Sequence, residues 1–159
     1  MEPAPACGCP QRSKTRCSKH APTRKSVACF GAVSLRSGTL VTELVSPFDA
    51  VTFGNFLTKL LKHRAKGKRM VIIMDNAKYH HAKLLAPLLH KQRNVLTLLF
   101  LPPYSPELNP IERVWKLTKR FATHNQYFAT LDEIILSVSE RFRLWACPNH
   151  TLVRLCGIS

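Results

Sequence analysis

The chain has 159 residues, with 24 Lys and Arg against 9 Asp and Glu, a net charge of +15, and 45% hydrophobic residues. That length holds one domain with tails, and that apolar share is enough to bury a core, which excludes a wholly disordered basic tail. No apolar stretch approaches the ~18 residues that span a bilayer, and the first 26 residues carry no run of signal-peptide type.

A cytoplasmic, reduced protein is therefore expected, with its six cysteines (Cys7, Cys9, Cys17, Cys29, Cys147 and Cys156) too scattered for a disulfide framework. The excess of cations calls for a polyanionic partner, most simply nucleic acid.

Residues 1–24 combine prolines, cysteines and cations without periodicity and read as a disordered basic lead-in. Cys7, Cys9, Cys17 and His20 are ligand types for zinc, but their spacing matches no standard finger. Val27 to Val33 is apolar and β-prone, Ser34 to Gly38 supplies turn chemistry, and Thr39 to Val45 alternates, which predicts a β-hairpin. Phe53, Phe56, Leu57, Leu60 and Leu61 then recur at helical spacing, with Asp49 as cap and a basic end from Lys62 to Lys66.

Met70 to Met74 is a fully apolar run that suits a strand buried on both faces. Lys78 to Arg93 predicts a helix with Leu84, Leu85, Leu88 and Leu89 on one side, kinked or split at Pro87. Val95 to Leu101 repeats the buried-strand pattern. Beyond a Pro-rich loop, a helix from Pro110 carries Ile111, Val114, Trp115, Thr118 and Phe121 on one face. A last helix starts at the capping box Thr130-Leu131-Asp132-Glu133. Strands alternating with helices give a mixed α/β architecture with a largely parallel centre over residues 25–145, and residues 146–159 read as a tail.

Two carboxylates stand out. In open α/β sheets functional groups gather at the carboxyl ends of the strands. Asp75 directly follows one apolar strand, and Glu112 opens the helix after the next. Each also has a structural explanation, Asp75 or Asn76 as an N-cap and Asn109-Pro110-Ile111-Glu112 as a capping box. The loop before Glu112 places four prolines in ten residues, a stiffness that suits a carboxylate held in a fixed position. His80 and His81 read as helix residues facing water. Trp115 and Trp145 read as core, and Tyr104 as packed beneath its prolines.

Asp75-Asn76-Ala77 with His80, followed by Leu101-Pro-Pro-Tyr-Ser-Pro-Glu-Leu-Asn-Pro-Ile-Glu-Arg-Val-Trp115, resembles the second and third catalytic blocks of DDE transposases of the mariner-like insertion-sequence superfamily. Thirty-six residues separate the two acids, close to the family spacing. The resemblance runs from about Ala21 to Arg143. It implies a ribonuclease H-like mixed sheet and makes Asp75 and Glu112 catalytic metal ligands for two Mg²⁺ (or Mn²⁺) ions, with Asn76 and His80 as accessory candidates. Cutting and rejoining a phosphodiester needs attacking and departing oxygens in line, which paired ions stabilise.

The family's first Asp, on a strand before the hairpin, finds no match here, since Glu2 is the only acid before Val27 and lies in a Pro-rich segment unsuited to a central strand. The family's helix-turn-helix reader is also missing. The expectation is a transposase catalytic domain truncated before its first strand and inactive alone, with residues 1–20 read out of frame. The alternative is a basic DNA-binding module or regulator, assembling with itself or with a full-length transposase. Its DNA contacts would be Lys62, Arg64, Lys66, Lys68 and Arg69, together with Arg113, Lys116, Lys119 and Arg120.

Overall fold

The computed structural model describes residues 27–157. The expected lead-in, its cysteines and the imagined zinc ligands lie outside the described residues. Strands β1 (Ala28–Val33) and β2 (Leu40–Val45) form an antiparallel hairpin with Val33 opposite Leu40. Gly38, at φ +69, takes the left-handed turn position, and its space is so tight that a Cβ would strike the Asn149 carbonyl. The helix α1 (Ala50–Leu61) follows, and the expected cap is present: the Asp49 carboxylate accepts from the Thr52 amide at 2.9 Å while the Thr52 hydroxyl accepts from the Asp49 amide at 3.1 Å.

Strands β3 (Met70–Met74) and β4 (Leu96–Phe100) pair in parallel, Met70 opposite Leu96. The two pairs are separate two-stranded sheets, not one continuous sheet. This explains why β3 and β4 are not buried on both faces as expected: Val71, Leu99 and Phe100 are all exposed. Between β3 and β4 the expected long helix is instead two 3₁₀ turns (Lys78–His81 and Lys83–Leu85) and a short helix, α2 (Ala86–Lys91), with Pro87 in its first turn. Proline is accepted there because the amide it lacks would have no partner anyway. Leu85 is buried, whereas Leu84 points to solvent.

Helix α3 (Pro110–Thr118) passes into a π-helical turn at Lys119–Thr123. The wider turn shifts the phase, so Ala122 is buried and Phe121 is exposed, where the Arg141 guanidinium lies 5.0 Å from its ring. Helix α4 (Leu131–Trp145) starts at Thr130, whose hydroxyl accepts from the Glu133 amide, but Glu133 reaches past the cap to the Ala129 amide. The expected tail holds a helix, α5 (His150–Cys156), capped by Asn149 and with Leu152 and Cys156 fully buried.

Two apolar clusters hold these elements. One packs Phe30, Met74 and Leu85 against Phe53, Phe56 and Leu57 of α1, and the other packs Leu40 and Val114 against Phe142, Trp145, Leu152 and Cys156. The hairpin lies between them, because alternate β1 side chains face opposite ways: Phe30 and Ala32 join the α1 cluster, Cys29 and Val33 the other.

Candidate active site

Asp75 leaves the end of β3, and Glu112 stands in the first turn of α3, after the stiff loop that follows β4. The parallel pairing carries both chain exits to one edge. Asp75, Glu112, Asn76 and the loop from Leu101 to Pro106 border a single cleft of about 400 Å³.

The two acids are held differently. One carboxylate oxygen of Asp75, Oδ1, accepts from the Ala77 amide at 3.3 Å and lies 3.2 Å from His80 Nδ1, which is also 3.0 Å from the Asp75 carbonyl. A carbonyl can only accept, so Nδ1 carries the proton. With Oδ1 engaged twice, Oδ2 is left for an outside ligand, and the side chain is 62% exposed. His80 itself is buried, its ring 4.4 Å from that of Phe53 and 4.3 Å from that of Tyr79. That corrects the expectation of a water-facing histidine. In a 3₁₀ turn, three residues per revolution aim side chains differently from an α-helix. Burial lowers the His80 pKa, disfavouring its cation, against the opposing pull of Asp75.

Glu112 is held only through its backbone. Asn109 is buried but makes no side-chain cap, so the proposed capping box does not form; the Glu112 amide donates to the Asn109 carbonyl at 3.1 Å. No hydrogen bond or ion pair to a described residue engages its carboxylate.

Among the accessory residues, Asn76 Oδ1 accepts from His81 Nε2, whose ring lies 4.4 Å from that of Phe100. Tyr104, expected beneath the prolines, is fully exposed at the rim of the cleft with a left-handed φ of 59°. Only the motif hinted at this aromatic residue, held in a conformation that L side chains seldom adopt.

The cations divide by place. Lys62, Arg64, Lys66, Lys68 and Arg69 lie before β3, at the opposite end from Asp75, a strand's length away at about 3.3 Å per residue. Arg64 donates to the Lys68 carbonyl at 2.6 Å, and Arg69 to the carbonyls of Arg93 and Asn94, so these two tie loops together; Lys62, Lys66 and Lys68 are exposed. Arg113 donates to the Leu155 and Gly157 carbonyls at the end of α5, whereas Lys116, Lys119 and Arg120 project from the exposed side of α3 and its π turn.

A sequence model of the family described as DDE superfamily endonuclease matches residues 9–135. The chain belongs to this family. The match starts at residue 9, ahead of Ala21, where the resemblance was expected to start. The chain is also 36% identical over 107 residues to the uncharacterized protein y4pE/y4sA of Sinorhizobium fredii, covering 67% of this chain and 75% of that protein. It is similar in structure to the catalytic core domain of BIV integrase, at 16% identity and a TM-score of 0.49, with 72% of this chain and 74% of that one covered.

DDE endonucleases generally use divalent metal ions. Asp75 Oδ2 and the Glu112 carboxylate are hard oxygen donors of the kind Mg²⁺ takes, and Mg²⁺ is commonly held by one or two carboxylates with waters completing its shell. The donor set fits one such ion. Among the described residues no cluster of three or more His, Cys, Asp and Glu side chains forms a fuller cage.

Proposed function

We propose that the chain is the catalytic domain of a DNA transposase of the mariner-like type, with a ribonuclease H-like arrangement, in which Asp75 and Glu112 are the metal-ligating acids. The observation that carries this is their convergence: two acids far apart in sequence border one cleft, one oriented by a buried histidine and the other free of any cap. A divalent ion held there would stabilise charge on the phosphodiester oxygens. The residues of the chain supply the rest. His80 and the Ala77 amide fix which oxygen of Asp75 faces outward, the proline loop fixes the start of α3, and Tyr104 offers an exposed ring on which an unpaired base can stack.

With two carboxylates in place of three, the described domain is incomplete for two-ion chemistry, and by itself it binds DNA and one divalent ion but cleaves poorly. Calorimetric titration of the purified chain with Mg²⁺ and Mn²⁺, alongside nicking assays on supercoiled plasmid, tests this. Metal binding lost in Asp75→Asn and weak nicking are expected. Robust nicking abolished by Glu112→Gln overturns the incompleteness, and metal binding indifferent to both substitutions overturns the site.

The reading as a DNA-binding module is favoured by the exposed Lys62, Lys66 and Lys68, which lie away from the cleft. It predicts affinity for duplex DNA that falls by ~0.9 in log–log slope per neutralised phosphate and is unchanged in Asp75→Asn. Assembly with another copy or with a full-length transposase belongs to this reading.

A further inference from the structure

Two side chains outside the cleft bracket the turn that carries Glu112. Arg113, the next residue, turns its guanidinium to the C-terminal end of α5 and donates to the Leu155 carbonyl at 3.0 Å and the Gly157 carbonyl at 3.4 Å. On the other side of Glu112, the Cys156 thiol donates to the carbonyl of Pro110, the first residue of α3, at 3.6 Å. Both contacts lead to the same short helix.

Each has a local cause. The last carbonyls of a helix have no partner within it, and a guanidinium carries donors in a fixed fork that can serve two of them. Cys156 and Leu152 are fully buried in one cluster with Val114 of α3, so α5 packs directly on the start of α3 and the thiol faces a carbonyl instead of water.

The other end of α5 is seated on the hairpin. The Asn149 amide donates to the Ser37 carbonyl at 2.8 Å, and the Asn149 side chain caps the helix at the Leu152 amide. Gly38, in the same hairpin turn, leaves no room for a Cβ beside the Asn149 carbonyl. One end of α5 therefore rests on the β1–β2 turn, and the other meets the first turn of α3.

This arrangement bears on the aim of Glu112. Its carboxylate has no ion pair or hydrogen bond among the described residues, so it points where its turn points. Successive side chains on an α-helix lie about 100° apart, so an Arg113 held toward α5 sets the heading of Glu112, and a Pro110 carbonyl held by the thiol sets where the turn begins. Pinned at both points, the turn neither rotates nor slides. Mg²⁺ demands near-ideal octahedral geometry, which makes affinity sensitive to a ligand's aim.

We propose that Arg113 and Cys156 are positioning residues for Glu112, and that α5 is the strut through which they act, holding the first turn of α3 so that the carboxylate meets a divalent ion shared with Asp75. The proposal rests on the reading of Glu112 as a metal ligand. It gives Arg113 an inward task, with its guanidinium committed to two carbonyls, and separates it from Lys116, Lys119 and Arg120.

The test uses the full chain, calorimetric titration with Mg²⁺, and amide hydrogen exchange of α3. Arg113→Lys keeps the positive charge and loses the fork, so a change in Mg²⁺ affinity reports geometry. Binding should weaken about fivefold, short of the ~10-fold that outright loss of a partner behind a ligand costs. The Glu112 amide should exchange faster while α1 keeps its protection. Because the bonds of Arg113 lie at the surface, the thermal midpoint should stay near that of the parent. In a Glu112→Gln background Arg113→Lys should cost no further affinity, since two changes acting through one ligand are not additive. Cys156→Ser, which keeps a donor toward Pro110, should bind Mg²⁺ more tightly than Cys156→Ala at equal folded fraction.

Unchanged Mg²⁺ affinity in Arg113→Lys, where Glu112→Gln alone weakens binding, would overturn the strut and leave the metal site standing. So would a loss of equal size with and without Glu112, or equal affinities in the two Cys156 variants. Unchanged affinity in Glu112→Gln would overturn the ligand reading and the strut with it.

Discussion

The two edges of the cleft present the same chemical group by opposite means. On the β3 side, Asp75 sits over a buried shell in which His80 packs against Phe53 and Tyr79 and donates to the Asp75 carbonyl and carboxylate. On the α3 side, Glu112 stands at the end of a proline-stiffened loop with no side chain holding it. A carboxylate can therefore be fixed either by a partner that engages one oxygen or by a backbone that leaves little freedom. The first couples site geometry to core packing, and the second separates them.

The largest expected effect tests that coupling. His80→Ala removes a buried ring and the donor to Asp75, and should cost about 2 kcal/mol of stability by urea denaturation as well as weakening Mg²⁺ binding. His80→Asn, which retains a short donor, should recover part of the metal affinity but little of the packing. If His80→Ala leaves metal affinity unchanged, the histidine is core alone.

A smaller and cleaner effect is expected on the other side. Glu112→Gln should weaken Mg²⁺ binding at least tenfold, about 1.4 kcal/mol, while stability stays within roughly 0.5 kcal/mol of the parent. A capping-box glutamate would behave differently, because its loss costs around 1 kcal/mol of helix stability. Smaller again, Tyr104→Ala should reduce affinity for single-stranded oligonucleotides by about 1 kcal/mol, with little change for duplex, if its ring stacks on a base. Equal loss on both substrates would assign Tyr104 to the backbone of the DNA.

The contrast also marks what the sequence could convey. The hairpin, α1 with its Asp49 cap, and the two five-residue strands were legible because period-2 alternation, helical spacing and cap chemistry are local signals. Two neighbouring apolar runs already put Asp75 and Glu112 at the carboxyl ends of adjacent strands, and the family motif added the role of metal ligand to each. The burial of His80 was not legible, since its direction depends on a 3₁₀ turn in place of the expected helix. Nor was the exposure of Phe121, set by a π turn that displaces it in favour of Ala122. Asn109-Pro110-Ile111-Glu112 has the composition of a capping box, yet Asn109 is buried without forming the cap, so the loop's path overrides the local preference. The helix within 146–159 was missed because it is short, and Asn149 was its one start signal.

The smallest effect separates the shell beneath Asp75 from the bare loop at Glu112 by pH. Tyr79 touches Phe30, Phe48 and Phe53, and burial, with a further push from the negative charge of Asp75, raises its phenol to about 12 from an ordinary value of 10. Between those values the unfolded chain has released this proton and the folded chain has kept it, so the unfolded state binds fewer protons and stability falls as pH rises. Below pH 10 both states are protonated and the term is constant. Cys29, raised to about 11 chiefly by burial, contributes a slope of the same sign, so the parent's pH profile alone does not isolate Tyr79. Tyr79→Phe keeps the ring contacts and removes the ionisable hydroxyl. Its denaturation midpoints should therefore decline less steeply than the parent's between pH 10 and 12, and parallel profiles would mean that the phenol is as well solvated in the folded protein as in the unfolded chain.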